Sequence, residues 1–132
     1  MPLTLTLDLL SEPLAICRLR PDAPVPSWAM APSAFLTITR TAEELSITTA
    51  ARLVPPGITT VPGYRALKVR GPLAFDVVGV LAAFTAPLAA AGLPILTIST
   101  HDTDYVLIRE GDLAPAAAAL EAVGHHVVRS GP

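Results

Sequence analysis

Cysteine is almost missing from this 132-residue chain. Cys17 stands alone, which excludes an internal disulfide framework and a multi-thiolate metal site and agrees with a reducing compartment. Charge is scarce as well. Lys, Arg, Asp and Glu make up 15% of the residues and leave a formal net charge of −2, so no long-range field draws in phosphate backbones, and the arginines are scattered along the chain. Nucleic acid is therefore not an expected partner. The longest apolar run free of proline, residues 77–84, is too short to span a bilayer, and the first ten residues, MPLTLTLDLL, lack a charged leader and a small-residue cleavage site. The expectation is a cytoplasmic chain with no membrane partner.

What is present is apolar surface, since 52% of the residues are hydrophobic, enough for a real core. Residues 3–9 alternate Thr or Asp with Leu, and residues 14–19 follow across Ser11-Glu12-Pro13, so both read as strands. Three prolines between Arg20 and Ser27 forbid a helix interior there. Ser27 then starts a single helical turn through Trp28 and Met30. Residues 34–39 and 45–49 are rich in β-branched side chains and flank a polar link, which predicts a second strand pair. Residues 54–63 hold three prolines and two glycines, a composition that breaks regular structure. This places a boundary near Pro62, with halves at 1–61 and 62–132.

The second half reads as strand, helix, strand, strand, helix, strand. Residues 64–69 are a short strand; Asp76 caps a helix from Val77 to Ala91 that Gly92 closes and Pro87 interrupts. Residues 94–99 and 105–108 are strands, Asp112 caps a helix that ends at Gly124, and residues 125–129 are the last strand. That order is the split βαβ pattern of ferredoxin-like domains. The first helix is apolar nearly all round, so it is expected to pack on a sheet and also on a second body, most simply another subunit of a two-fold dimer. An internal repeat supports two halves: Leu36-Thr-Ile-Thr followed by Glu44 matches Leu96-Thr-Ile-Ser followed by Asp104 at the same spacing. The first half lacks a long apolar helix and is a degenerate copy.

The densest polar cluster is Ser99-Thr-His-Asp-Thr-Asp-Tyr105, in the link between two strands, where it reads as a solvated β-turn or a ligand site. His101, Asp102 and Asp104 could ligate a cation, but no second cluster with ligand spacing accompanies them. The start of the long helix is a second candidate, because its free N–H groups and positive dipole end suit a carboxylate, and Gly79 allows close approach. Together the two suit a zwitterion, with the helix start on the carboxylate and Asp104 with strand-end carbonyls on the ammonium. Cys17 lies within a strand with no His beside it and reads as a buried structural cysteine. His125 and His126 alternate faces, so at most one looks inward, and neither has an obvious partner. Trp28 reads as a packing anchor. No acid, base, nucleophile or cofactor set assembles, so no catalytic residue, metal or cofactor is expected.

Asp76-Val-Val-Gly-Val-Leu-Ala, then Leu88-Ala-Ala-Ala-Gly-Leu-Pro-Ile, resembles the ACT-domain pattern D-x-x-G-V-L-A followed by L-A-x-x-G-I-x-I. Leu14-Ala-Ile-Cys-Arg-Leu, Thr37-Ile-Thr-Arg-Thr-Ala-Glu-Glu-Leu-Ser-Ile and Ser99-Thr-His-Asp-Thr-Asp-Tyr-Val-Leu-Ile resemble the short bacterial tandem-ACT proteins related to the CASTOR cytosolic arginine sensors. The resemblance implies an α+β chain of two tandem ACT halves, ferredoxin-like βαββαβ units with the first degenerate. It also implies a sensor site between paired ACT domains, taking an amino acid or similar small zwitterion. On that pattern Asp104 takes the cationic group, with the main-chain carbonyls of Thr100, His101 and Thr103, while Ala74, Val77, Gly79 and Val80 form the helix start. Another subunit would supply the second helix start. Val77 stands where the arginine sensors carry a glutamate that helps hold a guanidinium, so the resemblance does not carry arginine over. The rival expectation is a structural or protein-interaction domain with a vestigial site.

Overall fold

The computed structural model describes residues 3–71 and 78–129. The architecture is α+β, with eight strands and two α-helices among the described residues. In chain order these are β1 (Thr6–Leu9), β2 (Leu14–Leu19), β3 (Thr37–Arg40), β4 (Leu45–Ala50), β5 (Thr59–Val69), α1 (Val80–Ala90), β6 (Ile95–Ser99), β7 (Asp104–Arg109), α2 (Leu113–Ala122) and β8 (His126–Val128). Contacts divide the chain into two compact units, Ser11–Tyr64 and a second made of Met1–Leu10 with Arg65–Pro132. β5 gives its first residues to one unit and its last to the other.

The unit at Ser11–Tyr64 has strand order β3-β4-β2-β5, every pairing antiparallel. Numbered within the unit, that is 2-3-1-4, the ferredoxin-like order. Short 3₁₀ turns, Ser27–Met30 and Ala51–Leu53, stand where the two helices would be. Cys17, Ala29, Leu45 and Ile47 are its buried cluster, with Trp28, Leu19 and Ile38 packed against it. Trp28 is thus the anchor its sequence context predicts. The thiol of Cys17 lies 3.7 Å from Thr60 Oγ1, and burial pushes its pKa up, away from the thiolate.

The prolines and glycines of residues 54–63 do not keep β5 from forming through them. Leu14 pairs with Tyr64 but Ile16 with Val61, so three steps on β5 oppose two on β2. The extra residue is a β-bulge at Pro62-Gly63, with Gly63 at φ 87°. Proline lacks a ladder donor and glycine accepts positive φ, so a bulge is a place in a strand that suits both.

The second unit has order β6-β7-β5-β1-β8. The strands β5, β6, β7 and β8 with α1 and α2 make the expected βαββαβ set, but β1 is inserted between β5 and β8. It pairs antiparallel with β5 through Leu7↔Val69 and parallel with β8 through Leu7↔Val127. Period-two alternation buries Leu5 and Leu7 in the core. Val80, Phe84 and Leu88, four residues apart on α1, join Val69, Val106, Ile108, Ala116 and Leu120 there. The α1 helix starts three residues later than the sequence suggests: its N-cap is Gly79 at φ 89°, not Asp76, which lies outside the described residues. Asp112 does stand at the N-cap of α2, but its side chain makes no capping hydrogen bond, and a 3₁₀ turn, Glu110–Asp112, leads into the helix instead.

Candidate functional site

The polar cluster at residues 99–105 is a closed hairpin turn. Ser99 pairs with Asp104 across β6 and β7, and the four residues between them form the turn. The Thr100 N–H donates to the Thr103 carbonyl at 2.8 Å, and the Thr100 hydroxyl donates to the same oxygen at 3.2 Å. Thr103 is buried, and its hydroxyl donates to the Val69 carbonyl at 2.5 Å, tying the turn to the end of β5. The Ser99 hydroxyl donates to Asp104 Oδ1. His101 Nδ1 lies 2.8 Å from Asp102 Oδ1, with both side chains largely in solvent. The Thr103 carbonyl, expected to face a ligand cation, therefore already closes the turn. The carboxylate of Asp104 is half-buried and keeps a second oxygen beyond its bond to Ser99.

At the second candidate place, Gly79 is exposed and its carbonyl accepts the Ala83 N–H at 2.9 Å, closing the first turn of α1. Val80 points into the core, 6% exposed, so it can offer a ligand its backbone but not its side chain. Ala74 and Val77 lie outside the described residues. Gly79 lines a groove of 670 Å³ with Ala82, Ala86, Val123 and His125 among others. None of the described residues lining that groove comes from the turn at 100–103 or from Asp104. The structure thus brings Thr100, Thr103 and Asp104 together, and separately places Gly79 at the head of α1.

Two features escaped the sequence. His125 is 4% exposed and has two partners where the sequence offered no obvious one: Leu5 N–H donates to Nδ1 at 3.0 Å, and Nε2 lies 2.7 Å from the Ala83 carbonyl. His126 is exposed, as strand alternation requires. A cleft of 260 Å³ lies beside α2, lined by Leu9, Leu67, Leu113 and Val127 with Glu110 and Arg129 among the polar groups. Its residues come from β1, from β5 and from the stretch between Glu110 and Arg129, so no local motif could have announced it. Two ion pairs brace this unit: Arg70 holds Asp8 through two hydrogen bonds, one of 3.0 Å, and Arg65 lies 3.3 Å from Glu110. The Arg70 guanidinium holds the Asp8 carboxyl below its ordinary range. No group of three or more His, Cys, Asp or Glu side chains is placed to hold a metal among the described residues. Nor is any helix there long and apolar enough to cross a membrane.

The ACT-domain family model matches residues 59–122, and a second model, described as an N-terminal domain, matches residues 12–56. Comparison with curated proteins gives no match. Among solved structures, a protein from Agobacterium tumefaciens is similar at a TM-score of 0.92 and 33% identity, over 98% of this chain and 96% of its own. A protein of unknown function from Vibrio cholerae superposes at a TM-score of 0.73 with 16% identity, over 90% of this chain and 89% of its own. The ligand-free regulatory subunit of aspartate kinase from Thermus thermophilus superposes at 0.60 with 17% identity, over 93% and 97%. These last two share the fold.

Proposed function

Because this chain belongs to the family of the Agobacterium tumefaciens protein and carries the ACT domain, we propose that it is a non-catalytic sensing module that binds an amino acid between the ACT domains of two subunits. The observation that carries the reading is the anchored turn: Thr103 fixes it to the end of β5, the strand that leads toward the head of α1. Asp104 at the start of β7 takes the ammonium or a cationic side chain, aided by the carbonyls of Thr100 and His101. The backbone around Ala74, Val77, Gly79 and Val80 takes the carboxylate. The chain assembles as a homodimer through the apolar side of α1, where Leu81 is 44% and Val78 beside it 91% exposed. In this reading it works in the cytoplasm, with a site laid out as the resemblance to the CASTOR arginine sensors implies and a ligand that the resemblance does not name. The aspartate kinase regulatory subunit, which shares the fold, supports a regulatory role.

The rival reading, a protein-interaction domain with a vestigial site, draws on one observation: the Thr103 carbonyl and Asp104 already have partners within the hairpin. A thermal-shift screen with the standard amino acids separates the two, because a ligand bound only by the native state raises Tm. One amino acid is expected to stabilise the protein at millimolar concentration. Asp104→Ala should then weaken its binding by about ten- to a hundredfold, the worth of one charge-assisted hydrogen bond of roughly 1.5–3 kcal/mol, with little loss of fold stability. No stabilising amino acid, or equal affinity of both variants in calorimetry, overturns the assignment.

A further inference from the structure

In an α-helix the carbonyl of one residue accepts the N–H of the residue four places on. For Ala83 that residue is Pro87, inside α1, which has no N–H to give. The Ala83 carbonyl is nevertheless paired, because His125 Nε2 lies 2.7 Å from it. A carbonyl oxygen only accepts, so Nε2 carries the proton. Nδ1 is then the bare nitrogen that accepts the Leu5 N–H at 3.0 Å.

We propose that His125 is a positioning residue for the start of α1, the stand-in donor for the carbonyl that Pro87 leaves unpaired. One neutral imidazole, in one tautomer, joins α1 to the residue that leads into β1. Its surroundings hold it there. The His125 N–H donates to the Leu120 carbonyl at the end of α2, and the His126 N–H donates to the Leu5 carbonyl at 2.9 Å. The other described residues lining the groove beside the imidazole are apolar or glycine, so no second titratable group shares it. His126, Glu121 and Arg129, the nearest ionisable residues along the chain, are exposed.

The place held matters. Ala83 donates its own N–H to the Gly79 carbonyl, so the residue that His125 grips is the one that closes the first turn on Gly79. Any role in ligand binding rests on the reading of that turn as the carboxylate site. The hydrogen-bond assignment does not.

Nitrogen-15 spectroscopy of the full chain tests the tautomer directly: His125 should show a protonated Nε2 and a bare Nδ1, and the reverse pattern would overturn the proposal. Chemical denaturation of His125→Ala, Pro87→Ala and the double variant tests the substitution of donors. His125→Ala should lower the folding equilibrium constant about tenfold or more, since it strands a carbonyl and an N–H. With Ala at 87 the helix regains its own N–H, and the same change should cost at most half as much in logarithm. Equal losses in both backgrounds would sink the idea. If His125→Ala does not fold, the double variant should, and amide exchange at Ala83 in Pro87→Ala alone should slow. Failure of the amino-acid screen leaves all these outcomes unchanged, so the two proposals fail separately.

Discussion

The two hairpins β3–β4 and β6–β7 carry the repeated sequence, yet their turns differ in what they hold. Each closes with the N–H of a threonine donating to the carbonyl three residues on, Thr41 to Glu44 at 2.9 Å and Thr100 to Thr103 at 2.8 Å. In the first, the Thr41 hydroxyl accepts the N–H groups of Glu43 and Glu44, and the Arg18 guanidinium donates to the Glu43 carbonyl at 3.0 Å, all at the exposed surface. In the second, the last turn residue is a buried threonine tied to Val69. The structural register also moves the repeat by one: Arg40 opposes Leu45 where Ser99 opposes Asp104. Glu44 is thus the counterpart of Thr103, and Asp104 answers to the buried Leu45. An acidic group has taken a strand position that the other unit gives to its core. The two units differ alike in bulk, since one packs two helices on its sheet and the other only 3₁₀ turns.

Phe84→Ala is the hardest test of that difference in bulk. The ring is fully buried, so its removal should cost about 3–5 kcal/mol by chemical denaturation. Trp28→Ala, in the thinner core and partly in water, should cost about 1.5–2.5 kcal/mol. Equal losses would show that the 3₁₀ unit is as tightly packed as the helical one.

The turns themselves come next in size. Thr103→Val keeps the shape but removes the buried hydrogen bond to the Val69 carbonyl, and should destabilise by about 1–3 kcal/mol. Thr41→Val removes only exposed hydrogen bonds that water replaces, and should stay within about 0.5 kcal/mol. Comparable values would mean that both turns are mere links.

Acid should reveal the smallest contrast. Asp8 is held below its ordinary 3.8 by its hydrogen bonds from Arg70, and Glu12 below 4.5 first by the Ala34 N–H and then by Arg52. A carboxyl whose folded pKa is lowered contributes stability above its unfolded value, and that contribution is lost as pH falls through the folded one. Urea unfolding followed from about pH 6 down to about pH 3 should therefore flatten in Asp8→Asn for one unit and in Glu12→Gln for the other. A slope unchanged by both substitutions would remove these pairs as its cause.

Much of the fold was readable because it rests on local patterns. The six residues of β2 lie where the sequence places them, and the turns at Gly92 and Gly124 end both helices with positive φ, as a glycine stop should. The candidate site was half legible. A polar run between two strands marks a turn, but whether its carbonyls face a ligand or each other depends on which threonine is buried. His125 was unreadable from its neighbours, because its two partners are 120 and 42 residues away. One signal did exist, since a proline inside a helix announces a carbonyl four residues back in need of a donor.

The sequence alone determined the element types, the apolar faces of both helices, the degenerate first half and the buried cysteine, because periodicity, caps and turn chemistry act over a few residues. Tertiary structure decided what long-range pairing controls. It placed β1 between β5 and β8 within the unit formed by the chain's far end, turned Pro62-Gly63 into a bulge, and filled the valence left by Pro87 with His125. In each case a backbone donor or acceptor had to find its partner, and in a buried sheet or helix that partner is chosen by the whole fold.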